Sequence, residues 1–301
     1  MSRPEWKAVV MSSSKRFEKI FLATDGSEAS QAAVEATIAI AKSPDAKVRV
    51  AHVWNLEVHH RHGLWDVELR SEAQRLVDAT VERLLHAGVL ADREICRADN
   101  KHVAAALAYA AKDFGADLVV IGSRGLSDWR SLIQHSVSHE LLCRIDCPLL
   151  IVRRWTVAAK PHRQVLLAIA GGDDIAPAAR AAIAAAAAID AQVLVAHVTQ
   201  LIVTGQAFVY AESAEEVRAI MANTIKLIED AGISAQGIVS RPGRVADVIA
   251  NIAEEWKADL IVTGSSRMGD LASMVLGSMS HELLHATDTP VLIAERVRVM
   301  A

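Results

Sequence analysis

Each half of this chain carries two clusters of glycine and hydroxyl residues at a fixed separation. In the first half, Thr24-Asp25-Gly26-Ser27 follows a short apolar run. Further on, Gly122-Ser123-Arg124-Gly125 is separated by nine residues from His135-Ser136-Val137-Ser138. The second half has Gly264-Ser265-Ser266-Arg267, nine residues, then Gly277-Ser278-Met279-Ser280. These residue types suit an anion, and a phosphate above all. Glycine lets the backbone approach closely and adopt φ > 0, exposed N–H groups point at the charge, and hydroxyls at a helix start sit where the dipole is positive. One Gly-Ser pair also serves as an ordinary turn or N-cap. Two spaced pairs, present in both halves, are a far more specific signal.

The halves are copies. A shift of 145 residues lays Asp45-Ala46-x-Val48-x-Val50-Ala51-His52-Val53 on Asp190-Ala191-x-Val193-x-Val195-Ala196-His197-Val198. A shift of 142 lays Ala116-Asp117-Leu118 on Ala258-Asp259-Leu260, and Ser138-His139-Glu140-Leu141-Leu142 on Ser280-His281-Glu282-Leu283-Leu284. Collinear matches at nearly one offset mean a duplicated domain. The expected boundaries are 17–153 and 163–297. Between them, Arg154 to His162 lacks a period and contains Pro161, which reads as a linker.

Within each copy short apolar runs alternate with helical patterns. Strands are expected over 19–23 and 164–168, 48–53 and 193–198, 94–97 and 237–240, 118–121 and 260–263, and 149–152 and 291–294. Helices are expected over 29–41 and 176–189, 68–86 and 214–230, 103–114 and 245–256, with a last one from about Ser136 or Ser278. Gly88 and Gly232 stand at helix stops. Such alternation implies a parallel, doubly wound sheet, whose ligands sit beyond the carboxyl ends of the strands. The glycine and hydroxyl clusters fall at those ends.

On these residues the chain resembles the universal stress protein family, and specifically its tandem members, from Phe17 to Arg296. The family's nucleotide-binding branch carries Gly-x2-Gly-x9-Gly-Ser/Thr after the fourth strand and an Asp after the first. The resemblance implies two tandem five-stranded parallel, doubly wound α/β domains of the adenine nucleotide alpha hydrolase-like, Rossmann-like type. It implies ATP or AMP binding, with or without Mg2+, and no established catalytic role. It also implies association through the last strands, here within one chain, with a homodimer left open; pairing of that kind covers a sheet edge. In the first copy Ala23, Thr24 and Asp25 would face the adenosine, the backbone near Val53 the adenine, and Gly122, Arg124, Gly125, Ser136, Val137 and Ser138 the phosphates. His135 replaces the third glycine. Forced to φ > 0 it would cost about 1–2 kcal/mol and crowd a phosphate, or its imidazole would donate to one. The second copy keeps Val198, Gly264, Gly277, Ser278 and Ser280. Ala170 stands where the Asp belongs, and Arg267 replaces the second glycine. The expectation is an asymmetric pair, the first site being occupied preferentially. Two other readings stand beside it: a nucleotide-independent adaptor, and a slow ATPase or autophosphorylating protein.

The remaining chemistry is weaker. His59-His60-x-His62 could hold Zn2+ or Cu2+, but the second copy has Val203-Thr204-Gly205-Gln206 there, and a solvated loop is the expectation. His52 and His197 read as structural histidines at strand ends, and Cys143-x3-Cys147 as packing. Ser138-His139-Glu140 and Ser280-His281-Glu282 are adjacent helical residues pointing in different directions, so neither forms a triad by itself. The sequences Gly-x-Ser-x-Gly, the P-loop Gly-x4-Gly-Lys-Ser/Thr and Gly-x-Gly-x-x-Gly do not occur.

The 301 residues carry a net charge of −4 with pI near 6.3, which argues against nucleic acid as a partner, since phosphate-backbone binding needs a basic surface. The most apolar stretch, Ala181 to Ile189, is too short for a bilayer, so no membrane association is expected. Three cysteines and an N-terminal stretch with no apolar core point to the cytoplasm. Met11, just before Ser12-Ser13-Ser14, is an alternative start.

Overall fold

The computed structural model describes residues 16–59, 63–66, 70–99, 102–123, 137–155, 163–169, 175–204, 207–264 and 278–295. These residues fall into two compact units, one over Phe17–Trp155 and the other holding the chain from Thr156 onward.

The first unit runs β1 (Lys19–Ala23), α1 (Glu28–Ile40), β2 (Lys47–His59), β3 (Gly63–Asp66), α2 (Arg70–His86), β4 (Leu90–Asp99), α3 (Val103–Phe114), β5 (Leu118–Gly122), α4 (Val137–Arg144) and β6 (Leu149–Val152). Five strands pair in parallel in the order β4–β2–β1–β5–β6, and β3 runs antiparallel along the tail of β2. In β5 every residue from Leu118 to Ile121 is buried. Successive strand residues point to opposite faces, so both faces are covered by helices, as parallel sheets require. Helix α1 packs over β1, β5 and β6, and α2 over β2 and β4.

The second unit repeats the plan: β7 (Arg163–Ile169), α5 (Ile175–Ile189), β8 (Ala191–Val198), β9 (Leu201–Thr204), β10 (Ala207–Tyr210), α6 (Ala214–Asp230), β11 (Ala235–Ser240), α7 (Val245–Glu255), β12 (Leu260–Thr263), α8 (Ser278–Ala286) and β13 (Val291–Ile293). Its parallel order is β11–β8–β7–β12–β13. The α/β fold expected from the alternating pattern is therefore the observed one, in both copies.

Local chemistry sets the helix ends. Ser27 caps α1 by accepting from Ser30 N–H at 3.3 Å. Ser213 and Glu216 form a reciprocal capping box on α6. Gly115 ends α3 in the left-handed region at φ 70°. The alanines of α5 leave eleven of its fifteen residues buried, since small side chains let a helix lie close on its sheet.

The repeated Ala-Asp-Leu triplets have a structural cause. Asp117, just before β5, accepts Glu18 N–H at 2.8 Å and Lys19 N–H at 3.0 Å, while its own N–H donates to Lys19 O. Asp259 repeats this before β12, accepting Gln164 N–H at 2.8 Å and donating to Gln164 O. In each copy one carboxylate clasps the start of the first strand to the start of the fourth. Burial pushes the Asp117 carboxyl up from its ordinary value, against the two N–H donors that favour its charged form.

Two elements depart from the expected pattern. The second strand of the first copy does not stop near Val53; it runs to His59 and turns back as β3, Val58 pairing with Leu64. The second copy has a separate antiparallel hairpin at the same place, Val203 pairing with Phe208. His59 therefore lies in a strand rather than a loop, while His60 and His62 lie outside the described residues. The third strands are also longer than expected, reaching Leu90–Asp99 and Ala235–Ser240.

Candidate functional site

In the first unit β1 leads outward to β2 and β4 on one side, and β5 to β6 on the other. The carboxyl ends of β1 and β5 thus flank the switch point where doubly wound sheets bind ligands. Ala23 is in register with both Ala51 and Ile121, which brings Thr24 and Asp25 beside Gly122 and Ser123.

Thr24 is buried and its hydrogen-bonding groups are occupied. Its N–H donates to Ala51 O at 2.9 Å, its carbonyl lies 2.8 Å from His52 Nδ1, and its hydroxyl accepts from Gly26 N–H and donates to Ser30 Oγ at 3.2 Å. Ser30 Oγ in turn donates to Ser27 O at 2.9 Å. The Thr24 side chain therefore shapes the turn into α1. Asp25, one residue on, is exposed, and its Oδ1 accepts Ser27 N–H at 3.0 Å, an Asx turn that fixes the carboxylate at the mouth of the switch point. Gly26 completes the turn at φ 77°. The helix cap is Ser27, not Asp25, and Asp25 keeps an exposed position.

Gly122 corrects part of the reasoning from sequence. It is not in the left-handed region; it ends β5 as extended strand. Its lack of a side chain is demanded by α1, because a Cβ there would stand 2.4 Å from the carbonyl carbon of Ala29 and 2.5 Å from Ser30 N. The glycine thus admits the first turn of α1 to the end of β5, placing a helix N-terminus beside the switch point. Ser123 follows, buried, with its N–H on Val152 O at 2.8 Å. Ser30 did not stand among the expected site residues, although a serine at the start of a capped helix is a visible signal.

Val53, buried in β2, pairs with Cys96 of β4, and Val198 of β8 pairs with Ser240 of β11. Val137 opens α4 and is exposed, and Ser138 is buried beneath it. In the second unit the end of β12 and the start of α8 meet directly. Ser280 Oγ donates to Gly264 O at 3.2 Å with Ser280 fully buried, and Thr263 Oγ1 lies 3.4 Å from the same carbonyl. Ser278 is the first residue of α8. Arg124, Gly125, His135, Ser136, Ala170, Arg267 and Gly277 lie outside the described residues.

The two strand-end histidines are structural, as their position suggested. His52 is buried against Thr24 O, and His197 is buried with Nδ1 3.3 Å from Ile169 O and Nε2 2.7 Å from Glu212 Oε2. Among the described residues, no helix is long and apolar enough to cross a membrane.

Comparison with known proteins agrees with this architecture. The universal stress protein family matches the chain twice, over residues 16–153 and 161–295. Universal stress protein Mb2028c of Mycobacterium bovis is 25% identical over 300 residues, covering 95% of this chain and all of that protein. Universal stress protein YxiE of Bacillus subtilis is 29% identical over 150 residues, 46% of this chain and 99% of its own length. Among solved structures, a universal stress protein from Archaeoglobus fulgidus superposes with a TM-score of 0.71 at 20% identity, covering 92% of this chain and 96% of that one. The chain belongs to the universal stress protein family, with two of the family's domains in tandem.

Proposed function

We propose that this protein is an adenine-nucleotide-binding stress-response module without metabolic catalysis, and that its first domain is the occupied one. The observation that carries this reading is Asp25. Its carboxylate is exposed at the carboxyl end of β1, held by Ser27 N–H, beside the end of β5 and the N-terminus of α1. A carboxylate in that position accepts hydrogen bonds from a ribose, while the neighbouring backbone and helix start receive phosphates. ATP or AMP fits this division, and Mg2+ would accompany the triphosphate rather than be held by the protein alone. Arg124, Gly125, His135 and Ser136 complete the proposed phosphate side.

The second domain has a reason to bind more weakly. Ala170 stands where an acceptor is wanted, so the second domain lacks the carboxylate that Asp25 supplies in the first. Gly277, Ser278 and Arg267 remain as its proposed anion contacts. This favours a partner-binding or purely architectural role for the second domain.

Calorimetric titration of ATP and AMP into the whole chain, beside Asp25→Ala, tests the proposal. One nucleotide per chain is expected, with binding weakened by Asp25→Ala. Unchanged affinity in that variant removes Asp25 and the first site with it. Mass spectrometry of small molecules released from the purified protein is the independent check, and a retained adenine nucleotide is the expected finding.

A further inference from the structure

Helix α8 reads Ser278-Met279-Ser280-His281-Glu282-Leu283-Leu284-His285-Ala286. Two imidazoles four residues apart share one face of a helix, one turn from each other. Here they are in contact: the ring centroids of His281 and His285 are 4.7 Å apart, edge to face at 60°, and both residues are half-buried rather than sealed in the core. A tetrahedral metal 2.0–2.1 Å from one nitrogen of each ring would hold the two centroids about 5 Å apart. The pair is within about half an ångström of that spacing. Leu283 and Leu284, buried between them, anchor the helix so that both rings stay on one platform.

From this geometry we propose that His281 and His285 form a two-imidazole site for a divalent transition metal, Zn2+ or Cu2+. His-Glu-x-x-His on a helix is the spacing used by zinc hydrolases, in which the glutamate serves as general base. That chemistry is not part of this site. Glu282 Oε2 is engaged by Arg244 Nε at 3.2 Å, Arg244 being the residue that precedes α7. Among the described residues, no third His, Cys, Asp or Glu is gathered with the pair. The site therefore holds a metal and braces α8. The equivalent helix of the first domain carries His139 and Cys143 at the same spacing, a softer pair. The inference stands apart from the nucleotide reading.

The test is a Zn2+ titration of the full chain by calorimetry and thermal melting. The parent carries His59→Asn, His60→Asn, His62→Asn and Cys143→Ser, which silence the loop histidines and the softer pair. One Zn2+ per chain is expected, with a rise in melting temperature. His281→Asn and His285→Asn should each weaken binding by on the order of a hundredfold, the loss of a chelating arm, and abolish the rise. Melting in metal-free buffer checks that each variant folds. Zn2+ affinity unchanged in either single variant, or a parent that binds no Zn2+, overturns the proposal.

Discussion

Gly122 at the end of β5 and Ala29 in the first turn of α1 are pressed together so closely that no side chain fits between them. A Cβ on Gly122 would meet both the carbonyl carbon and the oxygen of Ala29 at 2.4 Å, and this neighbour is backbone, not a flexible side-chain tip. Gly122→Ala should therefore push the start of α1 off the sheet and lower stability by about 3 kcal/mol. Thermal unfolding checks this. An unchanged melting temperature would mean that α1 can retreat at no cost and that Gly122 is there for another reason.

The Asp117 clasp predicts a second loss. Removing the carboxylate leaves the Glu18 and Lys19 N–H groups without their acceptor at the start of β1. Asp117→Ala should cost about 1–3 kcal/mol. Asp259→Ala should act the same way on β7, where the carboxylate accepts Gln164 N–H. Denaturant unfolding of the two variants checks both losses, and a variant as stable as the parent would contradict the clasp.

The order of strands and helices was legible because it follows from patterning. Buried strands such as Leu118 to Ile121 are continuous apolar runs, and Gly88 and Gly232 mark helix stops. The hairpins were not read, although the apolar pairs of β9 and β10 flank a two-residue Gly205-Gln206 connection, a recognised hairpin signal. They hid because each is a short insertion between a strand and a helix that the repeat comparison already explained. The site was legible in kind only. Sequence identifies Gly122 as a close-approach position, but not that the approaching backbone belongs to Ala29. It shows Thr24 and Ser30 as hydroxyls, but not that they bond each other and leave Asp25 as the exposed group. Which polar atoms are already engaged is a property of the packed chain.

Cys96 gives a pH-dependent prediction. Burial between β2 and the helices pushes its thiol from the ordinary 9.0 up to about 11, and the nearby Glu94 charge adds to the shift. The folded protein keeps this thiol protonated in a range where the unfolded chain has begun to ionise it. The contribution to stability is therefore full below pH 9 and declines as pH rises toward 11. Since the thiolate is the nucleophile, Cys96 should also resist alkylation at pH 7–8 in the native state and react on unfolding. Mass-spectrometric mapping of iodoacetamide adducts checks this; native-state labelling of Cys96 at the rate of a small-molecule thiol would contradict it.

At the base of the second domain's hairpin, His197 and Glu212 meet. The imidazole of His197 is buried at the end of β8, and its Nε2 lies 2.7 Å from Glu212 Oε2, the residue two beyond β10. The other ring nitrogen faces Ile169 O at 3.3 Å, so the histidine joins the end of β7, the end of β8 and the exit of the hairpin. Leu201, Ile202, Val209 and Tyr210 of the hairpin are exposed. The Glu212 contact should therefore matter to the stability of β9 and β10. Glu212→Ala removes the carboxylate that faces a buried ring nitrogen, which should loosen the hairpin locally. Hydrogen exchange reads the effect directly. Amides of 201–204 and 207–210 should lose protection in the variant, while those of β7 and β12 keep theirs. Equal protection of the hairpin in both proteins would show that the His197–Glu212 contact does not hold it.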